Sequence, residues 1–148
     1  GSTGMIGGQM ADLEAEAGWP SDPEDALDEI HRRKTGALFV ACVRMGGLYA
    51  GGGEEEDRVL TSLGERIGMM FQIADDILDV EGASSTLGKT AGKDAKAAKL
   101  TFPSLYGLDA SRARMEELAE EAREIMSRLP ALSGLFTSVV SFLLKRNR

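Results

Sequence analysis

The chain has 148 residues, of which 43% are hydrophobic and 28% charged, and its formal net charge is −7. This length suits one domain with a core of its own, and the acidic balance argues against a general nucleic-acid binder, which needs a basic surface. The charge is typical of a cytoplasmic protein, and no run of about 18 apolar residues predicts a membrane span. No basic region precedes an apolar stretch at the N-terminus, so we expect no signal peptide.

One cysteine and one histidine limit the chemistry further. Cys42 allows neither a disulfide framework nor a thiolate metal site, and its alanine- and valine-rich surroundings predict a small core residue. His31 excludes multi-histidine metal sites. No Asp-supported nucleophile stands near His31 in the sequence, so the sequence does not favour serine–histidine catalysis.

Helices are predicted nearly throughout, because β-branched and aromatic residues are sparse and no window alternates apolar and polar residues. The first helix is predicted over 5–17. The second begins near Ser21 or Asp22, either of which can cap it, and Pro23 fits its first turn. It runs on with a break near 34–36 and ends at the three glycines of 51–53.

The second half of the chain continues the helical pattern. A third helix opens with the acidic residues 54–57 and extends to about Val80, and 81–99 form a long loop, functional or disordered. Pro103 starts a short helix, and Ser111 caps a long amphipathic one that Pro130 stops. A last apolar helix runs from about Leu132 to Leu144. The sequence therefore predicts an all-α helical bundle in a single domain.

The segment 71–80, FQIADDILDV, sets Asp75, Asp76 and Asp79 among apolar residues. On a helical wheel these aspartates and Gln72 fall within about a third of the circumference, opposite an apolar face. Like charges on one face repel each other, and the C-terminal half of a helix disfavours anions. Two interpretations remain open: a solvated acidic face, or a Mg²⁺ site that substrate phosphate completes.

Lysines near the aspartates favour the second interpretation. They are Lys89, Lys93, Lys96 and Lys99 after the helix, and Lys34 beside Thr35 at the predicted break. Carboxylates with Mg²⁺ and lysines with a Gly-rich backbone are the two halves of a diphosphate site. A nucleotide-binding P-loop at ASSTLGKT is not favoured, because Ala83 stands where its first glycine belongs and a helix, not a strand, precedes it.

FQIADDILDV followed by LGKTAGKDAKAAKLTFPSLYGL resembles the second aspartate-rich motif and following loop of the trans-isoprenyl diphosphate synthases. The resemblance extends over GMIGGQMADLEAE, HRRKTGALFVACVRMGG and the C-terminal KRNR, and it is closest to bacterial farnesyl and geranylgeranyl diphosphate synthases. It implies the all-α isoprenoid synthase bundle around a deep cavity. It also implies a Mg²⁺-dependent prenyltransferase that condenses an allylic diphosphate with isopentenyl diphosphate through an allylic carbocation and releases pyrophosphate.

The resemblance implies roles for individual residues as well. The residues that bind Mg²⁺ are Asp75, Asp76 and Asp79. The residues that contact the diphosphate are Lys34, Lys89 and Lys99. The catalytic candidates, near the reacting carbons and the departing pyrophosphate, are Lys34, Thr35 and Gln72. Gln9 and Asp12 match a motif whose neighbourhood lines the allylic side of the cavity.

One departure from the family qualifies these expectations. Members are about twice as long and carry a first aspartate-rich motif, which nothing in this chain resembles. We therefore expect residues 1–148 to be the C-terminal part of a single isoprenoid synthase domain, inactive alone. The missing half would leave Leu60, Leu63 and Ile67 uncovered, which favours a homodimer or larger assembly. The alternative is a non-catalytic synthase-like subunit that regulates a partner; the intact Asp and Lys residues argue against it.

Overall fold

The computed structural model describes residues 2–86 and 99–146, with the backbone alone for 83–86. In these ranges the helices are α1 (Met5–Ala17), α2 (Pro23–His31), α3 (Ala37–Tyr49), α4 (Glu54–Thr86), α5 (Phe102–Tyr106), α6 (Leu108–Ser127) and α7 (Ser133–Lys145). A π turn, Arg32–Gly36, joins α2 to α3, and a 3₁₀ turn, Pro130–Leu132, precedes α7. Every regular element in the described ranges is helical, which confirms the all-α prediction.

The core forms around α4, which packs against α3, α6 and α7. Apolar residues recur along α4 at steps of three and four, so one broad stripe faces these neighbours. The fully buried members of this stripe are Leu63, Ile67, Met70, Ile73, Ala74 and Ile77. The prediction that Leu60, Leu63 and Ile67 would be uncovered is wrong, because α3 and α6 cover them and leave 3%, 0% and 2% of each exposed.

Other large apolar residues are exposed on α1, α3 and α7. They are Met5, Ile6, Met10 and Leu13 on α1, Leu38, Met45, Leu48 and Tyr49 on α3, and Leu135 and Phe142 on α7. Because α3 packs against α4 and the π turn along one side only, none of its residues is buried. Cys42 lies on the outer side and is exposed, so the prediction of a core cysteine is wrong. Across residues 2–86 and 99–146, no helix combines the length and apolarity needed to cross a bilayer.

The helix ends largely follow their predicted signals. The carboxylate of Asp22 accepts from the backbone N–H of Asp25, and Pro23 follows as the first helical residue of α2. After α3, Gly51 has φ +82°, a left-handed conformation that glycine adopts without a steric penalty. Ser111 does not cap α6, which begins at Leu108; the Ser111 hydroxyl donates to the Gly107 carbonyl inside the first turn. The helix α4 also continues past its predicted end, to Thr86.

Candidate active site

The π turn carries two of the predicted site residues, Lys34 and Thr35, where a break was predicted. The N–H of Ala37 donates to the carbonyl of Arg32, five residues earlier, which widens the turn relative to an α-helix. Single π turns are rare and occur frequently at functional sites. The break at residues 34–36 is therefore a local change of helix type, not an interruption of the helix.

The side chains of the π turn connect it to two helices. Nζ of Lys34 donates to Oδ2 of Asp12 on α1 at 2.6 Å, and the Asp12 side chain is only 8% exposed. Oγ1 of Thr35 donates to Oε1 of Gln72 on α4 at 2.8 Å. Lys34 thus connects the turn to α1, and Thr35 connects it to α4.

Asp76 lies at a buried junction of α2, α4 and α5, formed with His31, Gln72 and Phe102. Its Oδ2 accepts from the backbone N–H of Phe102 at 2.9 Å and lies 3.1 Å from Nε2 of His31. Its Oδ1 accepts from Nε2 of Gln72 at 3.4 Å. The side chains of Asp76 and His31 are each 3% exposed. Both oxygens of Asp76 therefore already face donors of the protein itself.

Asp75 and Asp79 lie on the accessible side of the same helix, one turn apart. Oδ1 of Asp75 is 3.5 Å from a guanidinium nitrogen of Arg146, and Oδ2 of Asp79 is 3.6 Å from Nζ of Lys99. The guanidinium of Arg146 also lies over the ring of Phe71, 5.4 Å from its centroid. Cations of the chain thus offset part of the charge of both carboxylates, at distances longer than a tight ion pair.

The helical wheel places Gln72 and the three aspartates on one arc of α4, but it does not predict which of them are buried. The boundary between the packed side and the accessible side of α4 divides this arc. Gln72 and Asp76 fall on the packed side and Asp75 and Asp79 on the accessible side. The expectation that the whole arc lies away from the packed side is wrong for Gln72 and Asp76, because the π turn contacts Gln72 and α2 and α5 contact Asp76.

No three His, Cys, Asp or Glu side chains in the described ranges converge as the ligand set of a metal ion. Asp75 and Asp79 remain available as a pair, and one or two carboxylates suffice for Mg²⁺ when phosphate oxygens and water supply its other ligands. Lys89, Lys93 and Lys96 lie outside the described residues. Gln9 is exposed on α1.

Two residues near the predicted site had no assigned role in the sequence, His31 and Arg146. His31 was known only as the single histidine, and Arg146 only as part of the C-terminal KRNR. Their positions beside Asp76 and Asp75 bring together residues 45 and 71 positions apart in the sequence. A basic residue near the chain end was the one signal that pointed to Arg146.

A cavity of about 500 Å³ lies beside the π turn, between α2, α4 and α6, and none of the predicted site residues lines it. Its basic residues are already paired: Arg32 and Arg33 with Glu29, and Arg66 and Arg114 with Glu121. Because each of these guanidinium groups already contacts a carboxylate of the chain, the cavity does not provide a free anion site. The π turn and the accessible side of α4 are therefore the stronger candidate site.

Comparison with known proteins identifies what this arrangement resembles. The family profile described as polyprenyl synthetase matches residues 2–132. The farnesyl diphosphate synthase of Escherichia coli (strain K12) is 42% identical over 152 aligned residues, which cover 100% of this chain and 50% of that protein. The dimethylallyltranstransferase of Fischerella ambigua (strain UTEX 1903) is 40% identical, with 99% of this chain and 42% of that protein covered.

A solved structure shows the same arrangement of helices. The FPP/GFPP synthase of Zymomonas mobilis, in its apo form, superposes with a TM-score of 0.79 and 30% sequence identity. The superposition covers 97% of this chain and 46% of that chain. The fold is thus that of the farnesyl diphosphate synthases, and the chain spans about half the length of the relatives it matches.

Proposed function

The chain belongs to the polyprenyl synthetase family, and on that premise we propose that it supplies the C-terminal part of a single isoprenoid synthase domain. The complete domain condenses an allylic diphosphate with isopentenyl diphosphate. The allylic C–O bond breaks with its electron pair on the diphosphate, the allylic cation bonds to the double bond of isopentenyl diphosphate, and loss of a proton completes the product. The residues described above serve the first of these steps.

The observation that supports this proposal is the connection between the π turn and α4. Thr35 donates to Gln72, and one turn further along the same helix is Asp75, with Asp79 a turn beyond it. The turn that carries Lys34 is thereby held against the helix that carries both carboxylates. A departing diphosphate needs lysines and carboxylates together. Lysines donate to it directly, and the carboxylates would hold a Mg²⁺ ion, so that both stabilise the negative charge that develops on the diphosphate.

Asp75 and Asp79 would hold Mg²⁺ in this domain. Their side chains are 45% and 58% exposed, and their cationic partners lie at 3.5 and 3.6 Å, so both can accept a metal without losing a buried hydrogen bond. When bound, Mg²⁺ neutralises charge on the departing pyrophosphate. Asp76 fits this role less well, because its two oxygens accept from Phe102 and Gln72 and contact His31. We assign Asp76 to the attachment of α5.

The remaining residues act on the diphosphate directly. Lys34 and Lys99 are each partly exposed and would bind its oxygens, and Lys89 is proposed for the same role from the sequence. The hydrogen bond from Thr35 to Gln72 fixes both side chains, and we propose that they lie near the reacting carbons. Apolar helix faces that line the cavity of the complete domain would exclude water from the cation.

The exposed apolar faces of α1 and α3 are proposed to contact the rest of the domain or a second copy of the chain. Several large apolar residues are exposed on each of these two helices, which favours a protein interface. We keep the homodimer, the cytoplasmic location and the inactivity of the isolated chain as proposals. The net charge of −7 supports the cytoplasmic location.

A chimeric enzyme tests the function. This chain replaces the matching half of the farnesyl diphosphate synthase of Escherichia coli, and product is measured from dimethylallyl and isopentenyl diphosphates with Mg²⁺. We expect turnover by the chimera, none by the isolated chain, and a loss of about a hundredfold or more in Asp75→Ala. Asp57→Ala is the control, because Asp57 pairs with Arg44 on the surface. A folded chimera without turnover would instead support the non-catalytic regulatory subunit.

A further inference from the structure

The π turn passes between α1 and α4 at points where each helix has a glycine. A methyl group on Gly8 of α1 would lie 2.3 Å from the backbone nitrogen of Lys34 and 2.7 Å from its Cα. A methyl group on Gly68 of α4 would lie 2.8 Å from the Cα of Gly36. Carbon atoms rest about 3.5–4.0 Å apart, so neither position has room for a side chain. The backbone of the turn therefore touches both helices directly.

Each of these glycines stands one helical turn before a residue that holds a side chain of the turn. Asp12 follows Gly8 by four positions on α1 and accepts from Lys34 at 2.6 Å. Gln72 follows Gly68 by four positions on α4 and accepts from Thr35 at 2.8 Å. Residues four apart share one face of a helix, so the face that permits the close approach also carries the hydrogen-bond acceptor.

We propose that Gly8 and Gly68 are positioning residues for diphosphate binding, which fix Lys34 and Thr35 by letting α1 and α4 close onto the π turn. This proposal rests on the proposed function, in that Lys34 and Thr35 serve the diphosphate. Neither glycine contacts the substrate in this proposal. Each acts through the backbone separation that its missing side chain allows.

The expected effect follows from the size of a methyl group. A methyl group on residue 8 would force α1 and the π turn apart by about 1 Å. A shift of this size lengthens the 2.6 Å hydrogen bond from Lys34 to Asp12 beyond the upper limit of about 3.2 Å for such a bond. A charged donor that loses its fixed position weakens binding by about tenfold or more. We expect Gly8→Ala to act through Lys34 and Gly68→Ala through Thr35.

Two measurements on the 148-residue chain test the proposal, in trimethylamine N-oxide so that the folded state is favoured. Amide hydrogen exchange is followed in peptides over residues 30–37, and the affinity for inorganic pyrophosphate with Mg²⁺ is measured by calorimetry. Gly64→Ala is the matched control. Gly64 is on α4 like Gly68, but a methyl group there would lie 2.9 Å from the Cα of Val40 on α3, and not against the π turn. Gly46→Ala controls for helix propensity, since nothing lies within 4 Å of it.

Faster exchange over 30–37 and weaker pyrophosphate binding in Gly8→Ala and Gly68→Ala, with neither change in the two controls, is the expected result. Wild-type exchange and affinity in both variants would overturn the proposal and leave the proposed function standing. If the wild-type chain binds no pyrophosphate, the diphosphate site requires the rest of the domain; the pyrophosphate affinity of the same variants is then measured in the chimera, and the exchange data decide whether the glycines position the turn. Global unfolding of both variants with Gly64→Ala folded would assign the glycines to folding and also overturn the proposal.

Discussion

The buried junction at Asp76 gives a prediction that separates the three aspartates without any ligand. Asp76→Ala removes the acceptor for the Phe102 N–H and the contact with Nε2 of His31. Water cannot easily replace the lost acceptor, because the side chains of Asp76 and His31 are each 3% exposed. Donors left unpaired in a buried place lower the stability of the folded state.

The magnitude follows from the burial of the pair. A buried donor left without an acceptor costs about 1–3 kcal/mol, and Asp76→Ala removes the acceptor of both the Phe102 N–H and the Gln72 amide, so it should lower the free energy of unfolding by about 2–6 kcal/mol. For a chain of this size, 1 kcal/mol shifts the thermal midpoint by about 2–4 °C, which makes the expected decrease about 10 °C. Asp75→Ala and Asp79→Ala remove half-exposed partners of Arg146 and Lys99 and should change stability by less than about 1 kcal/mol.

The assay is thermal and urea unfolding of the wild type and the three alanine variants in the absence of metal, followed by circular dichroism. Asp76→Asn is the matched variant, since its amide keeps one oxygen acceptor for the Phe102 N–H and should lose less stability than alanine. Equal midpoints for Asp75→Ala and Asp76→Ala would refute the reasoning, because they would mean that the junction contributes nothing to folding.

Three further predictions concern stability at other positions. Gly51→Ala should lower the free energy of unfolding by about 1 kcal/mol, because φ is +82° there. Gly46→Ala, inside α3 with open space around it, should raise the free energy of unfolding slightly, and urea titration measures this free energy for both variants. Burial raises the pKa of Glu121, but hydrogen bonds from two arginines outweigh it and the net pKa is lowered, so the stability that Glu121 contributes is present above its ordinary pKa and is lost in acid. Glu121→Gln should therefore flatten the fall of the thermal midpoint as the pH drops from about 4.5, and an unchanged slope would contradict this. Arg146→Ala should lower the thermal stability modestly, by about 0.5–1 kcal/mol, because it removes a cation over an aromatic ring; no change in calorimetry would count against that contact.

The helices were predictable because their signals are local. The Pro23 start, the stop at 51–53 and the apolar steps of α4 each depend on residues within one or two turns. Ser111 shows the limit of this kind of inference. A serine before an acidic amphipathic run has the composition of a cap, but the helix had already begun after Gly107, whose φ of +84° ends the preceding element.

The candidate site was predictable only in part, because its surroundings depend on distant segments. That Asp76 is buried follows from Phe102 returning to it, 26 residues later, and from His31 on another helix. Neither appears in the pattern of 71–80 itself. Cys42 was placed in the core for a related reason: an apolar helix predicts burial, but which of its sides finds a partner depends on the whole fold.

The π turn also determines the rotational register of everything that follows it. A turn closed by a hydrogen bond from Ala37 to Arg32 contains one residue more than an α-helical turn, so residues 23–49 form one helical rod with a single inserted residue. The wider turn absorbs this residue, so Val40 faces Gly64. If residues 32–36 formed a regular α-helix with no residue removed, α3 would be rotated by about 100° about its axis. Val40 and the rest of the inner side would then turn away from Gly64, and the outer apolar side would turn towards α4. The width of one turn thus decides which side of α3 packs against α4 and which side it presents.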